Sequence, residues 1–122
     1  MKHVSLSLIF LLVLFLISHY IFEPTYLYHE LVWLDIPMHV LGGLGVGLLF
    51  ISLAELKHKR LPPSLLIFLF MFVAVSWEIY EYERGVMVYD GLYKYLDTVK
   101  DLVMGSIGMY GAYKLKLNKP KN

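Results

Sequence analysis

Four apolar runs, each about as long as a bilayer is thick, constrain the fold of this chain more than any other feature. A hydrocarbon core of about 30 Å is crossed by roughly 20 helical residues. The runs cover residues 4–22, 31–53, 64–82 and 97–115. The sequence therefore predicts an all-α membrane protein, in which residues 1–122 form one domain, a four-transmembrane-helix bundle.

The runs at the two ends of the chain need separate comment. The first has no formal charge and follows Lys2, as a secretory signal would, but no small-residue cleavage pattern comes after it, so we interpret it as a span. The fourth is the most polar, because it contains Asp97, Lys100, Asp101 and Lys114 in a glycine-rich frame. Composition supports four spans, since 58% of the residues are hydrophobic, against about 45–50% in soluble domains.

Basic residues predict the orientation of the bundle. Eight of the 11 Lys and Arg residues lie on one side of the four spans, and the connection over residues 23–30 contains none. These eight are Lys2, Lys57, Lys59, Arg60, Lys114, Lys116, Lys119 and Lys121. Because cytoplasmic loops carry the excess of positive charge, we expect a multi-pass protein of the cell membrane with both termini in the cytoplasm.

Charge and cysteine content exclude several functional classes. The 11 basic and 10 acidic residues leave a net charge of +1, without the basic excess that nucleic-acid binding requires. The chain has no cysteine, which excludes disulfides, thiolate catalysis and thiolate-held metals. Any metal ion must therefore be held by carboxylate and imidazole groups.

Acidic residues occur at similar depths in three of the predicted spans. Each span contributes a pair three or four residues apart, which places both members on one helix face. The pairs are Asp35 with His39, Glu78 with Glu81, and Asp97 with Asp101. An acid at the membrane centre costs about 2.5–3.5 kcal/mol, and less near the interface. We therefore expect these side chains to face inward and to meet.

The mutual repulsion of these acidic side chains can be reduced in three ways. They can bind a divalent cation, take up protons, or pair with Arg84, Lys100 and His39. An oxygen-rich set with one imidazole suits Mg²⁺, Mn²⁺, Ca²⁺, iron or, less typically, zinc. We predict a metal site with Asp35, His39, Glu78 and Asp101 as ligands. In this hypothesis Glu81 or Asp97 acts as general base or supports a ligand, and Arg84 contacts an anion.

Simpler interpretations exist for some of these residues. Asp97 is also suited to cap the fourth helix, and Glu81 can be wetted at the outer interface. Four other acids are most simply solvated loop charges, namely Glu23, Glu30, Glu83 and Asp90. Pro37 could kink the second helix. The segment 86–93, with Asp90 and Gly91 at its centre, predicts a short hairpin or an interfacial flap.

Glycines predict which helices are neighbours. Gly42, Gly43, Gly45 and Gly47 lie on the second span, and Gly105, Gly108 and Gly111 lie on the fourth. Small residues at such spacing let two membrane helices approach closely. The second and fourth spans are therefore predicted to pack against each other.

The same motifs resemble a known family. The strings are Asp35-Ile-Pro-Met-His39, Trp77-Glu78-Ile-Tyr-Glu81 and Asp97-Thr-Val-Lys-Asp101, followed by Gly105 and Gly108. They resemble the YjdF-like small integral membrane proteins and, more distantly, the VanZ-like family, over residues 35–108. Glu81 and Asp101 stand where VanZ-like proteins commonly have Gln and Asn. The resemblance implies a membrane protein and transfers no established activity.

Three functions remain open at the level of sequence. The first is a divalent-metal-binding membrane protein that acts on lipid-linked cell-envelope substrates. The second is a component of cation or proton transport, although residues 44–53, 65–74 and 104–111, in the inner halves of spans two to four, include no Asp, Glu, Lys, Arg or His. The third is a non-catalytic membrane scaffold, in which the acids only fix helix packing.

Overall fold

The structure is a computed structural model that describes residues 1–85 and 90–117. Within these residues it is helical and contains no strand. Helix α1 spans Lys2–Ile17 and continues as a π-helical turn over Ser18–Phe22. A short α2, Leu27–Glu30, and a 3₁₀ turn, Val32–Leu34, lead into α3, Asp35–Leu56. Helices α4, Pro63–Arg84, and α5, Leu92–Leu117, follow.

Among residues 1–85 and 90–117, three helical segments are long and apolar enough to cross a membrane. They are Lys2–Phe22, Val32–Leu56 and Pro63–Arg84, which confirms three of the predicted spans as membrane-capable helices. Helix α5 has 26 residues, but its charged side chains keep it out of this group. The fourth span and the cytoplasmic location of the termini stay predictions.

Helices α3 and α5 pack together most closely, as the glycine pattern predicted. A Cβ added at Gly43 would overlap the backbone carbonyl of Gly105, and one added at Gly108 would overlap the carbonyl of Val40. Gly47 faces Ala112 in the same interface. The two helices are therefore in close contact over about two turns, which fixes the position of α5 relative to α3.

The buried core is small and lies between α4 and α5. Leu66, Phe70 and Met109 form it, with exposures of 2%, 3% and 8%. In contrast, large apolar side chains such as Phe68 and Phe72 on α4 are 66% and 69% exposed. A water-soluble protein of this size rarely exposes so much apolar surface, so hydrocarbon is the solvent that this surface fits.

Several local predictions are corrected by the helix boundaries. Helix α5 begins at Leu92, so Asp97 lies inside the helix and does not cap it. Pro37 lies in the first turn of α3, where its missing N–H leaves no hydrogen bond unmade, and the helix continues to Leu56. Of the predicted hairpin, residues 86–89 lie outside the described part, and residues 92–93 are helical.

Candidate metal centre

Six side chains meet at one end of the bundle, where α3, α4 and α5 converge. Each helix supplies two of them from one face, because the pairs are three or four residues apart. They are Asp35 and His39 on α3, Glu78 and Glu81 on α4, and Asp97 and Asp101 on α5. Every acid and the histidine predicted to face inward are thus brought together in the structure.

His39 connects α3 to α5. Its Nε2 atom lies 3.2 Å from Oδ1 of Asp35 and 3.3 Å from Oδ2 of Asp101. The first contact joins successive turns of one helix, and the second crosses the interface that the glycines hold close. The imidazole therefore stands between two carboxylates on different helices.

Lys100 lies among three aspartates. Its Nζ donates hydrogen bonds to Oδ1 of Asp97 at 2.6 Å and to Oδ2 of Asp35 at 3.0 Å. It also lies 3.3 Å from Oδ1 of Asp101. One positive charge therefore compensates Asp35 and Asp97 directly, so the pairing with Lys100 that the sequence suggested as one remedy is present.

Asp101 is the most deeply buried acid of the set, at 3% exposure. Among the described residues, its Oδ1 atom is buried and makes no hydrogen bond, despite its 3.3 Å distance from Lys100. An acceptor left without a partner inside a protein costs about 1–3 kcal/mol, and more when it is charged. This oxygen is therefore suited to receive a ligand.

The acids and the histidine form two overlapping groups whose candidate ligand atoms lie within 4.8 Å of one another. One group is Asp35, Asp97 and Asp101, and it surrounds the ammonium group of Lys100. The other is His39, Glu78, Glu81 and Asp101. Three carboxylates and an imidazole in the second group match the donors preferred by Mn²⁺ and iron, and they also suit Mg²⁺, Ca²⁺ or zinc.

The second group faces a cavity of about 450 Å³ between α1, α3, α4 and α5. Its four residues all line the wall, together with Asp35, whereas the rest of the lining is almost entirely apolar. This volume lies within the range of about 300–1,000 Å³ that is usual for small-molecule sites. The cluster is therefore the polar end of an otherwise hydrophobic cavity.

Arg84, the predicted anion contact, lies at the C-terminal end of α4 and is 43% exposed. Its Nη2 donates to Oε2 of Glu23 at 3.1 Å and lies 3.4 Å from Nδ1 of His19. Glu23, which the sequence suggested to be a solvated loop charge, is only 13% exposed. The interpretation of Glu23 was wrong because the turn after α1 folds back toward α4.

Two further polar side chains line the cavity and were missed from the sequence. Ser18 and Tyr28 share a hydrogen bond of 2.8 Å between their hydroxyl groups, and both belong to the wall. Burial raises the pKa of Tyr28 to about 12. No spacing rule joins these residues, since they come together only through the π-helical turn and α2.

Comparison with known protein families shows what the chain is similar to. The family model described as "Predicted membrane protein (DUF2238)" matches residues 3–114. This confirms the resemblance to YjdF-like proteins, which form the same family, whereas the more distant similarity to VanZ-like proteins stays a prediction. No curated protein and no solved structure matches the chain.

Proposed function

Because the chain belongs to the DUF2238 family of predicted membrane proteins, we propose that it is a multi-pass membrane protein that binds a divalent metal ion. The site is the acidic and histidine cluster, in the extracytoplasmic half of the bundle. The ligands are His39, Glu78, Glu81 and Asp101, which lie within 4.8 Å of one another.

The buried Oδ1 atom of Asp101 carries this proposal, because among the described residues it makes no hydrogen bond and has only an ion-pair contact of 3.3 Å with Lys100. Glu78 is similarly buried, at 7% exposure, so the group has two carboxylates that water compensates poorly. A divalent cation lowers the electrostatic cost of both, since buried charges are stable only when they are paired or coordinate a metal.

Asp35 and Asp97 have a different role in this proposal. Both accept hydrogen bonds from Lys100, so their charges are already compensated. Asp35 also contacts His39, and such a contact orients a ligating imidazole. We therefore infer that Asp35 positions His39 and that Asp97 positions Lys100.

The proposed topology has α5 as a fourth span and both termini in the cytoplasm. The support is the distribution of basic residues over the sequence together with the close packing of α5 on α3. In this arrangement the cluster lies toward the cell envelope, where lipid-linked substrates are available. A bound ion there can polarise a substrate oxygen or activate water.

One observation favours a scaffold as the second candidate function. Lys100 and His39 link carboxylates on α3 and α5 without any added ion, as a purely structural network would. Transport of cations or protons has less support, because the cavity away from the cluster is lined almost entirely by apolar side chains.

Elemental analysis of the purified protein tests the metal proposal, and thermal stability in added divalent ions supports it. We expect about one ion per chain and a rise in melting temperature that tracks binding, worth about 2.7 kcal/mol at one hundred times the dissociation constant. Glu78→Gln and Asp101→Asn should remove this response. Glu83→Gln, on the exposed face of the helix that carries Glu78, is the matched control and should keep the rise in melting temperature.

Folded protein without metal, and with the same melting temperature in Mg²⁺, Mn²⁺, Ca²⁺ and Zn²⁺ as in chelator, would contradict the metal site. If the four residues of the site can also be replaced together by Asn and Gln with no change in stability or cellular phenotype, the cluster has no function as a binding site. If the protein contains no metal and the variant with four replacements still loses the cellular phenotype, the scaffold is supported instead.

A further inference from the structure

We propose that the cavity binds one acyl chain of a membrane glycerophospholipid, with the ester end of the chain at the acidic cluster and the phosphate at Arg84. The ester position rests on the proposed metal site. The chain site does not, because it depends only on the apolar walls.

The apolar wall of the cavity is continuous along one face of α1. Leu8, Leu11, Leu12 and Phe15 line it, and their spacing of three and four residues forms a stripe along the helix. Val73, on α4, lies across from them among the other apolar lining residues. Such a surface favours a hydrocarbon chain, since each buried methylene contributes about 0.8 kcal/mol.

The length of the cavity matches one leaflet of a bilayer. Its lining extends on α1 from Leu8 to Ser18, which is about 15 Å at the rise of an α-helix. The hydrocarbon core of a bilayer is about 30 Å thick, so each leaflet is about half of that. A chain that enters beside the cluster therefore fits with its end near Leu8.

We infer that an acyl chain enters the cavity from the side, through the seam between α1 and α4. Helix α1 is held mainly through its packing on α3. Phe15 and Trp77 meet edge to face across the seam, with ring centroids 6.2 Å apart. Below them, the lining residues Leu8 and Leu12 are 51% and 55% exposed, so the wall that they form borders the surrounding lipid.

The charges at the polar end select the part of the lipid that lies there. Five carboxylates surround one lysine and one histidine, so the cluster repels a phosphate and accepts a neutral ester carbonyl, which a bound cation can contact. The guanidinium of Arg84 is one turn further out than Glu81 on the same face of α4, about 4.5 Å along the axis. The described hydrogen bonds of Arg84 use Nη2, and its guanidinium lies over the ring of Tyr80, 5.8 Å from the centroid. The other N–H groups are therefore available for the phosphate.

The test measures binding of dioleoyl phosphatidylethanolamine to the purified full chain in detergent, by native mass spectrometry. Gly42 lines the cavity and has open space where a Cβ would lie, so Gly42→Leu fills the cavity without displacing a helix. Gly111 has no neighbour closer than 4.0 Å and is not part of the wall, so Gly111→Leu is the matched control.

We expect the unmodified protein and Gly111→Leu to bind one lipid with equal affinity, and Gly42→Leu to bind at least about tenfold more weakly, the loss that follows when about two methylenes are displaced. Leu12→Trp should weaken binding in the same way from the opposite wall, with Leu16→Trp as its control. Equal affinity of blocking and control variants, or a dimer without bound lipid, would overturn the proposal.

Two analogues separate this inference from the proposed metal site. Dialkyl ether phosphatidylethanolamine lacks the ester carbonyl, and dioleoylglycerol lacks the phosphate. If the ether lipid binds more weakly only when metal is present, the carbonyl lies at the ion. If metal is absent but Gly42→Leu still blocks binding, the chain site stands and the metal proposal fails. The unmodified protein should bind dioleoylglycerol more weakly than the phospholipid. The Arg84→Gln variant should bind the two lipids with equal affinity.

Discussion

Replacement of Gly43 by alanine should separate the two helices that hold the cluster together. The added Cβ would overlap the carbonyl oxygen of Gly105, and neither group can rotate away, because both belong to a helix backbone. The helices must therefore move apart. A gap of about 0.5–1 Å across a packed surface loses roughly a quarter to a half of its dispersion energy.

The loss in free energy of unfolding caused by Gly43→Ala should lie near the upper end of the range for overpacking substitutions. Overpacking in a well-packed core destabilises by about 1–3 kcal/mol, and the flexible side chains that normally relieve it are lacking at Gly43. We expect the free energy of unfolding to fall by about 3 kcal/mol, which lowers the melting temperature by on the order of 10 °C.

Gly42→Ala is the matched control, since it is the adjacent residue on the same helix and its Cβ meets nothing within 4 Å. It should be neutral, or more stable by about 0.5–1 kcal/mol, because alanine favours the helix over glycine. Thermal unfolding in one detergent, followed by circular dichroism, compares the two variants directly. Equal melting temperatures for Gly43→Ala and Gly42→Ala would refute the close packing of α3 on α5.

Three further changes test the charges and hydroxyls around the site. Lys100→Met should destabilise the fold by about 3–5 kcal/mol, because it leaves partly buried carboxylates without their cation. Added divalent ions should restore part of the lost melting temperature. If the variant is as stable as the unmodified protein, Lys100 is not the partner of these carboxylates. Arg84→Gln breaks the ion pair with Glu23, in which the Arg84 side chain is 43% exposed and that of Glu23 13% exposed. The change should cost about 1 kcal/mol, and a loss of several kcal/mol in thermal unfolding would contradict the exposure of Arg84. Tyr28 has a pKa raised to about 12 from 10.0, so the unfolded chain releases its proton first and stability falls as pH rises from 10 to 12; Tyr28→Phe should flatten this part of the pH profile, and an unchanged slope would contradict the burial of the hydroxyl.

The sequence predicted the helices better than their ends. Long apolar runs locate membrane-capable helices because hydrocarbon requires them, and the three segments found in the structure overlap the first three predicted spans. The start of α5 was misplaced, since its first turns, from Leu92 to Leu96, are too polar to be identified by hydropathy. Asp97 was therefore predicted as a possible helix cap, although its carboxylate accepts a hydrogen bond from Lys100.

The candidate site was predictable where helical spacing determines it. The three pairs meet because each lies on one helix face and because the glycines bring α3 against α5. The division of the acids into a lysine-paired group and a cavity-facing group was not predictable, since it depends on which way Lys100 extends. Glu23 and Tyr28 also escaped prediction, because their positions depend on the irregular turn between α1 and α3.

The place of Lys100 has a consequence for how the protein is made. Alone in a bilayer, α5 would carry Asp97, Lys100 and Asp101 with only each other as partners, and each such charge costs about 2.5–3.5 kcal/mol at the membrane centre, less toward the surface. Once α3 is in place, Asp35 and His39 complete the network. In the proposed four-span arrangement, integration of α5 therefore depends on α3, a helix whose synthesis begins 57 residues earlier, at residue 35 rather than residue 92.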